Sequence, residues 1–291
     1  MIRPPRALTQ VKSLTEFQTV PSGAIVPTYI VLRPRRDSGL RGIAEVGVIV
    51  TKSGLPGTRG RKRVYLMRHG EVSYQRPDGR TVFSTQVTLT DEGVEQARLM
   101  RELLAPAPFD LGVHTGLTRT RQTAEIVLQG RDVPVQEIAN LRELQAGALE
   151  HLTDERIDAE FTYGLERAAE PGAAFSGGET FAAFQERIVP AFESLLQRPD
   201  WTTALVVGHG GTNAVILAWV TRGGLAGLSA FEQDAGCVNI IDVDVVDGEI
   251  LRRMIRAVNL TPYNLAKHEH YLTVAERIAA AHREMLQQRR E

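Results

Sequence analysis

The apolar run Val64-Tyr65-Leu66-Met67 stops at Arg68, His69 and Gly70, with Glu71 next. A second apolar run, Leu205-Val206-Val207, stops in the same way at Gly208, His209 and Gly210. Two further segments set charge beside an apolar run: "HTGLTRTRQTAE" at 114–125 carries Arg119 and Arg121, and "LRELQAGALE" at 141–150 carries Glu143. A guanidinium offers a planar fork that matches phosphate oxygens. An imidazole can act as nucleophile or proton carrier near neutral pH, and a carboxylate can move a proton to or from a reacting oxygen. Glycines such as Gly70 and Gly210 let a ligand come close to the backbone. Gathered at strand ends, these groups would make a phosphate-sized electropositive pocket.

Each residue also has a plainer reading. A lone histidine is usually a satisfied polar side chain, and His114 is expected to be one. Glu143 could simply pair with Arg142, and Arg121 is expected to face solvent or to form an ion pair along its helix. "HEH" at 268–270 has metal-like spacing without further ligands nearby and reads as solvated tail. The glycine-rich "GLPGTRGRK" lacks the Gly-Lys-Ser/Thr ending of a phosphate loop and precedes a strand, where a helix should follow.

The elements that must hold these residues alternate. Strand-like runs fall at 64–67, 111–115, 133–138 and 203–208, and a hairpin is expected around Asp247-Gly248. After Thr90, a good N-cap, Val94, Ala97, Met100 and Leu104 share one helical face. Residues 117–128, 179–197 and 212–221 also read as helices, and Thr273 with Glu276 forms a capping box opening a charged helix over 274–289. This alternation predicts an α/β fold, a mostly parallel sheet covered by helices on both faces. In such sheets the ligand crevice lies outside the carboxyl ends of the strands, where Arg68-His69-Gly70 falls.

Composition removes several classes of function. The chain has 291 residues and a net charge of −1, which gives no general attraction to nucleic acid or to an anionic membrane. The single cysteine, Cys237, excludes an intramolecular disulfide framework and fits a reducing compartment. No apolar run approaches the roughly 20 residues of a membrane span, and "AVILAWV" at 214–220 reads as core. A basic amino terminus without an apolar signal region leads to the expectation of a cytoplasmic protein. Charge is unevenly spread: residues 1–63 hold 12 Lys or Arg against 3 Asp or Glu, and the remainder 22 against 32. The expected organisation is a basic, proline-containing extension over 1–62, a catalytic domain over 63–265 and a charged C-terminal helix over 266–291. Within the extension, "GAIVPTYIVL" and "GIAEVGVIV" could pair as a hairpin.

The motifs, in this order, resemble those of the histidine phosphatase superfamily, phosphoglycerate mutase-like branch. "LMRHGE" is similar to its signature, "LTRTRQTAE" to its arginine-bearing helix start, "LRELQAG" to its glutamate loop and "VVGHGG" to its second His-Gly turn. "SGGETFAAFQERI" is similar to the segment opening its helix before the last core strand. The resemblance spans roughly residues 62–260. It implies His69 as nucleophile, Arg68 and Arg119 as phosphate ligands, His209 in its protonated form as a third donor, and Glu143 as general acid. Gly70 and Gly210 would border the bound phosphate. Such chemistry requires no metal and no cofactor, and the implied partner is a small phosphate ester, with a homodimer left open. Departures from the family pattern fall around the pocket: Val72 and Gln75 after the signature, Gln86 in "QVTLT", Thr115 where a serine is usual, and a "QAGALEH" loop without aromatic residues. That loop also lacks the mutase Arg-His-Tyr, and only 66 positions separate Glu143 from His209. The missing loop and the short segment favour a phosphomonoesterase over a mutase, and the presence of Arg68, His69, Arg119, Glu143 and His209 together disfavours a non-catalytic phospho-ligand binder.

Overall fold

A computed structural model of the chain describes residues 28–32, 46–50, 54–74, 86–147 and 154–288. The basic stretch 33–41, Gln75 and the end of the "QAGALEH" loop lie outside the described residues. The chain divides into two units, residues 1–53 with Pro199–Trp201, and residues 54–198 with 202–291. In the first, β1 (Thr28–Leu32) and β2 (Val46–Val50) pair antiparallel, with Thr28 opposite Val50, as the two β-branched runs suggested.

The second unit is built on six strands. These are β3 (Arg61–Arg68), β4 (Leu111–His114), β5 (Val135–Glu137), β6 (Thr203–Gly208), β7 (Val238–Val246) and β8 (Glu249–Leu260), in the order β5-β4-β6-β3-β7-β8. Neighbours from β5 to β3 run parallel, whereas β7 is antiparallel to β3 and β8 to β7. The helices are α1 (Asp91–Leu103), α2 (Thr118–Val127), α3 (Asp154–Ile157), α4 (Phe181–Gln197), α5 (Gly210–Thr221) and α6 (Val274–Gln288).

β3 is longer than its apolar run because Arg61 and Arg63 pair across the sheet with Asp244 and Asp242 of β7, each at 2.7 Å. Asp242 is fully buried, so the charged residues that hydropathy alone would assign to a leader are strand residues. β5 is shorter than its run. Pro134 has no N–H to give a ladder, and only its carbonyl joins the sheet by accepting from Gly112.

Both faces of the sheet are covered. On one, Met67, Leu205 and Val207 pack with Ala97 and Met100 of α1 and with Ala124 and Val127 of α2. On the other, α5 packs against β3 and β8 and beneath α4. α5 is buried on every side from Thr212 to Val220, which explains why its sequence shows no polar face. The expected caps form: Thr90 Oγ1 accepts from Gly93 N at 3.1 Å, and Thr273 and Glu276 bond reciprocally at 2.7 and 3.1 Å. Asp247 and Gly248 both take positive φ, 53° and 83°, as a two-residue hairpin turn requires. The C-terminal helix α6 packs Ala279 against Ile157, and its Arg283 pairs with Asp158. Among the described residues no helix is long and apolar enough to cross a membrane.

One close approach ties the signature to the fold. A Cβ on Gly70 would meet the backbone carbonyl of Gly93 at the start of α1, and a Cβ on Gly93 would meet that of Glu71. Backbone on both sides cannot yield. Gly70→Ala and Gly93→Ala are each expected to cost about 1–3 kcal/mol by overpacking. Gly210→Ala should cost little, because its nearest neighbour would be Arg68 Nε at 3.8 Å. Denaturant midpoints of the three variants check this, and equal midpoints would refute it.

Candidate active site

The parallel pairing of β3 with β6 sets Arg68 opposite Gly208, so the chains leave the sheet together. The residues one step further, His69 and His209, are thereby forced side by side, with ring centroids 5.3 Å apart. β4 is in register as well, with His114 opposite Val207, which brings Thr115 level with this edge. All of these lie at carboxyl ends of parallel strands, in the crevice the fold class predicts.

His69 is buried, and its Nδ1 lies 2.7 Å from the carbonyl of Gly70. A carbonyl only accepts, so Nδ1 carries the proton and Nε2 keeps its lone pair. Arg119, in the first turn of α2, donates from Nε to that Nε2 at 3.2 Å. Thr123, one turn on, accepts from Gly70 N and donates to Arg119 O, which locks the helix start to the signature loop. Burial, and then the charges of Arg68 and Arg119, hold the His69 imidazole well below its usual range. It is therefore neutral at pH 7, as a nitrogen nucleophile must be.

His209 is fully buried. Its Nε2 is 2.9 Å from Thr115 Oγ1, which in turn is 3.1 Å from Thr120 Oγ1. Thr120 gives its only hydroxyl proton to the carbonyl of Leu117 at 2.8 Å. Thr115 must then donate to Thr120 and accept from His209 Nε2–H, which leaves the lone pair on Nδ1. Burial is the largest cause, followed by the charges of His69, Arg119, Arg68 and Arg187, that holds His209 well below the usual imidazole range. Burial and the neighbouring guanidinium groups therefore oppose the protonated His209 that the resemblance implies.

Arg68 ends β3, and its Nη1 donates to the carbonyl of Gln233 at 2.7 Å. Glu143 accepts from Leu144 N at 2.9 Å with Oε1 and from Gly211 N, in the first turn of α5, at 3.1 Å with Oε2. The space above Gly210 separates the two groups: a Cβ there would lie 3.8 Å from Arg68 Nε and 4.0 Å from Glu143 Oε2. Buried side-chain nitrogens without a partner are Arg68 Nε and His209 Nδ1, both at this pocket, among the described residues.

The structure therefore brings Arg68, His69, Arg119, Glu143 and His209 together at one edge of the sheet, with Gly210 between Arg68 and Glu143. Gly70 contributes its carbonyl to His69, and its missing side chain serves the contact with α1. The competing readings separate cleanly. Arg142 pairs with Glu137 at 3.0 Å and donates to Thr115 O, so it is no partner of the Glu143 carboxylate. Arg121 lies on the exposed side of α2, 3.9 Å from Glu125. His114 accepts from Gly116 N and shapes the turn after β4. His268 is exposed beside Glu269. Cys237, buried behind Arg68, has its thiol pushed up to about 12 by desolvation and is chemically quiet. Sequence reasoning missed Arg187, Gln233 and the Thr115–Thr120 relay. Two of these carried a signal: Thr115 stands where the family usually has a serine, and Arg187 lies in the "SGGETFAAFQERI" segment.

The sequence model of the histidine phosphatase superfamily (branch 1) matches residues 64–255, and the chain belongs to that family. The adenosylcobalamin/alpha-ribazole phosphatase of Salmonella typhimurium (strain LT2) is 33% identical over 184 residues, 62% of this chain and 90% of that protein. The Escherichia coli (strain K12) protein of the same name is 32% identical over 185 residues, with the same coverage of 62% and 90%. The crystal structure of the alpha-ribazole phosphatase from Shigella flexneri superposes with a TM-score of 0.55 at 27% identity, covering 68% of this chain and 96% of that one. A mycobacterial glucosyl-3-phosphoglycerate phosphatase, at 23% identity and a TM-score of 0.57 over 68% of this chain and 99% of its own, shares the fold.

The two imidazoles are expected to remain neutral below the pH at which an exposed histidine protonates, and to be opposite tautomers. In 15N-labelled protein at pH 6, His69 should appear as the Nδ1–H form and His209 as the Nε2–H form. A protonated ring for either in the free enzyme would contradict the geometry.

Proposed function

We propose that the chain is a metal-independent phosphomonoesterase working through a phosphohistidine on His69. The observation that carries this reading is the pair of buried, unpartnered nitrogens, Arg68 Nε and His209 Nδ1, flanking a nucleophilic Nε2 that already receives a guanidinium N–H. A tetrahedral oxyanion would accept from Arg68 Nε as it stands, and from His209 Nδ1 once that nitrogen is protonated. Arg68 and Arg119 supply fixed positive charge to the phosphoryl oxygens. His209 Nδ1 becomes a donor when a proton enters with the phosphate, because the dianion provides a counter-charge to the imidazolium.

In the first step His69 Nε2 attacks phosphorus, the N–P bond forms, and the ester P–O bond breaks. Glu143 delivers its proton to the departing alkoxide. In the second, the Glu143 carboxylate takes a proton from water, the hydroxide attacks phosphorus, and the N–P bond breaks to release phosphate and neutral imidazole. The sum is ester plus water giving alcohol plus phosphate. Relatives named as phosphatases favour water over a second substrate hydroxyl as acceptor. Among the described residues no feature of the site favours the runner-up, a mutase, although relatives named as probable phosphoglycerate mutases also match part of the chain. The substrate class is a small phosphorylated metabolite, and alpha-ribazole phosphate, with the phosphoglycerates beside it, heads the panel to be tested.

His69→Ala should abolish covalent labelling by a 32P-phosphate ester while the protein stays folded. The wild-type label should resist alkali and be lost in acid, with turnover persisting in excess chelator. Labelling of the variant, or activity that needs a divalent ion, would sink the phosphohistidine mechanism.

Glu143→Gln should reduce turnover of alkyl phosphates by about 10²–10⁴-fold, the usual range for a general acid. The same change should leave the first step with 4-nitrophenyl phosphate, read as the pre-steady-state burst of nitrophenolate, within a few-fold, since nitrophenolate departs without a proton. Equal losses of the first step on both esters would remove Glu143 from the acid role.

A further inference from the structure

We infer that Arg187 of α4, held by Glu179, is a positioning residue whose task is to fix the Glu143 loop over the reacting oxygen. The inference rests on the reading of Glu143 as leaving-group acid. The loop from Asn140 to Gln145 leaves a 3-10 turn and enters no strand, so its carbonyls lack ladder partners. Arg187 supplies them. Its Nη1 donates to the carbonyls of Asn140 at 2.9 Å and Arg142 at 2.7 Å, and its Nη2 donates to that of Glu143 at 2.9 Å. The remaining donors grip the Glu179 carboxylate, Nε at 2.7 Å and Nη2 at 2.9 Å.

Glu179 completes the clamp from the far side of the loop. Its Oε2 accepts from Gln145 N at 3.1 Å, and its own amide donates to Gln145 O at 2.8 Å. Burial raises the Glu179 carboxyl, but the bonds from Arg187 and the Gln145 amide outweigh it and hold the group below its usual range, so it stays ionised. The guanidinium plane also lies over Phe184, 4.8 Å from the ring centroid. Two glycines let the backbones meet: a Cβ on Gly147 would strike Ser176 O, and one on Gly178 would strike Gln145 O. Thr212 of α5 ties the same loop to the His209 side by donating to Leu141 O at 3.2 Å.

Three of the five donated bonds end on carbonyls within three residues of Glu143, and none ends on the pocket itself. A residue of this kind places the acid without touching substrate. Only the planar five-donor fork can reach all these acceptors, so lysine at 187 would keep the charge and lose most of the geometry.

The test is steady-state and burst kinetics of full-length Arg187→Lys, with Glu179→Gln as a milder second variant that leaves the three carbonyl bonds in place. On an alkyl phosphate, Arg187→Lys should lower kcat by about tenfold or more with KM within about twofold. With 4-nitrophenyl phosphate the burst of nitrophenolate, which reports the first step alone, should hold within about threefold. In a Glu143→Gln background the lysine change should add no further loss on the alkyl ester, because the group being positioned is already disabled. Glu179→Gln should show the same ester pattern to a lesser degree. Equal losses on the two esters, or losses additive with Glu143→Gln, would overturn the positioning role while sparing Glu143 as acid. Should Glu143→Gln itself fail to distinguish the esters, the acid reading falls and the inference with it.

Discussion

The parallel register of Val64–Arg68 on Ala204–Gly208 is the constraint on which the site depends. Two strands far apart in sequence end at the same level, and the residue after each end is a histidine. A slip of one residue would turn each strand's side chains to the opposite face. It would drive Met67 out of the α1–α2 cluster and separate the two imidazoles. The register is held by burial on both faces of β6, by the His69 amide donating to Gly208 O at 3.2 Å, and on the other flank by the Arg61–Asp244 and Arg63–Asp242 pairs to β7. Catalytic geometry and core packing are therefore the same requirement.

Electrostatics follows from that placement. The pocket gathers two guanidinium groups and two imidazoles where little water can solvate them, and a low dielectric magnifies every interaction. The imidazoles respond by staying neutral. Arg68 Nε and His209 Nδ1 are buried without a protein partner. An oxyanion would accept from Arg68 Nε and balance the arginine charge. The same surroundings that keep His69 unprotonated thus favour phosphate over a neutral ligand.

The carboxylate side of the pocket is built differently. Arg68, His69 and His209 stand at strand ends, whereas Glu143 sits on a loop whose position is borrowed from α4 and α5 through Arg187, Glu179 and Thr212. Loops are cheap to vary, and the core residues can persist while the surroundings of the leaving group change. Of the departures from the family pattern, Gln145 lies on this loop, whereas Thr115 is buried at the end of β4 against His209.

Much of this was present in the chain order of residues. Strand–helix alternation, caps at Thr90 and Thr273, the Asp247-Gly248 turn and the His-Gly strand exits depend on local periodicity and turn chemistry, which a linear sequence contains. The motifs at Arg68-His69, Arg119, Glu143 and His209 were likewise legible, because each couples an apolar run to a polar break. Long-range pairing decided the rest. That Arg61 and Arg63 are strand residues depends on aspartates nearly two hundred positions away, and that Arg119 faces the pocket while Arg121 faces water depends on how α2 packs. The neutrality of His209, the Thr115–Thr120 relay and the reach of Arg187 to Glu143 exist only once separate elements meet, since burial and hydrogen-bond partners are properties of neighbours in space.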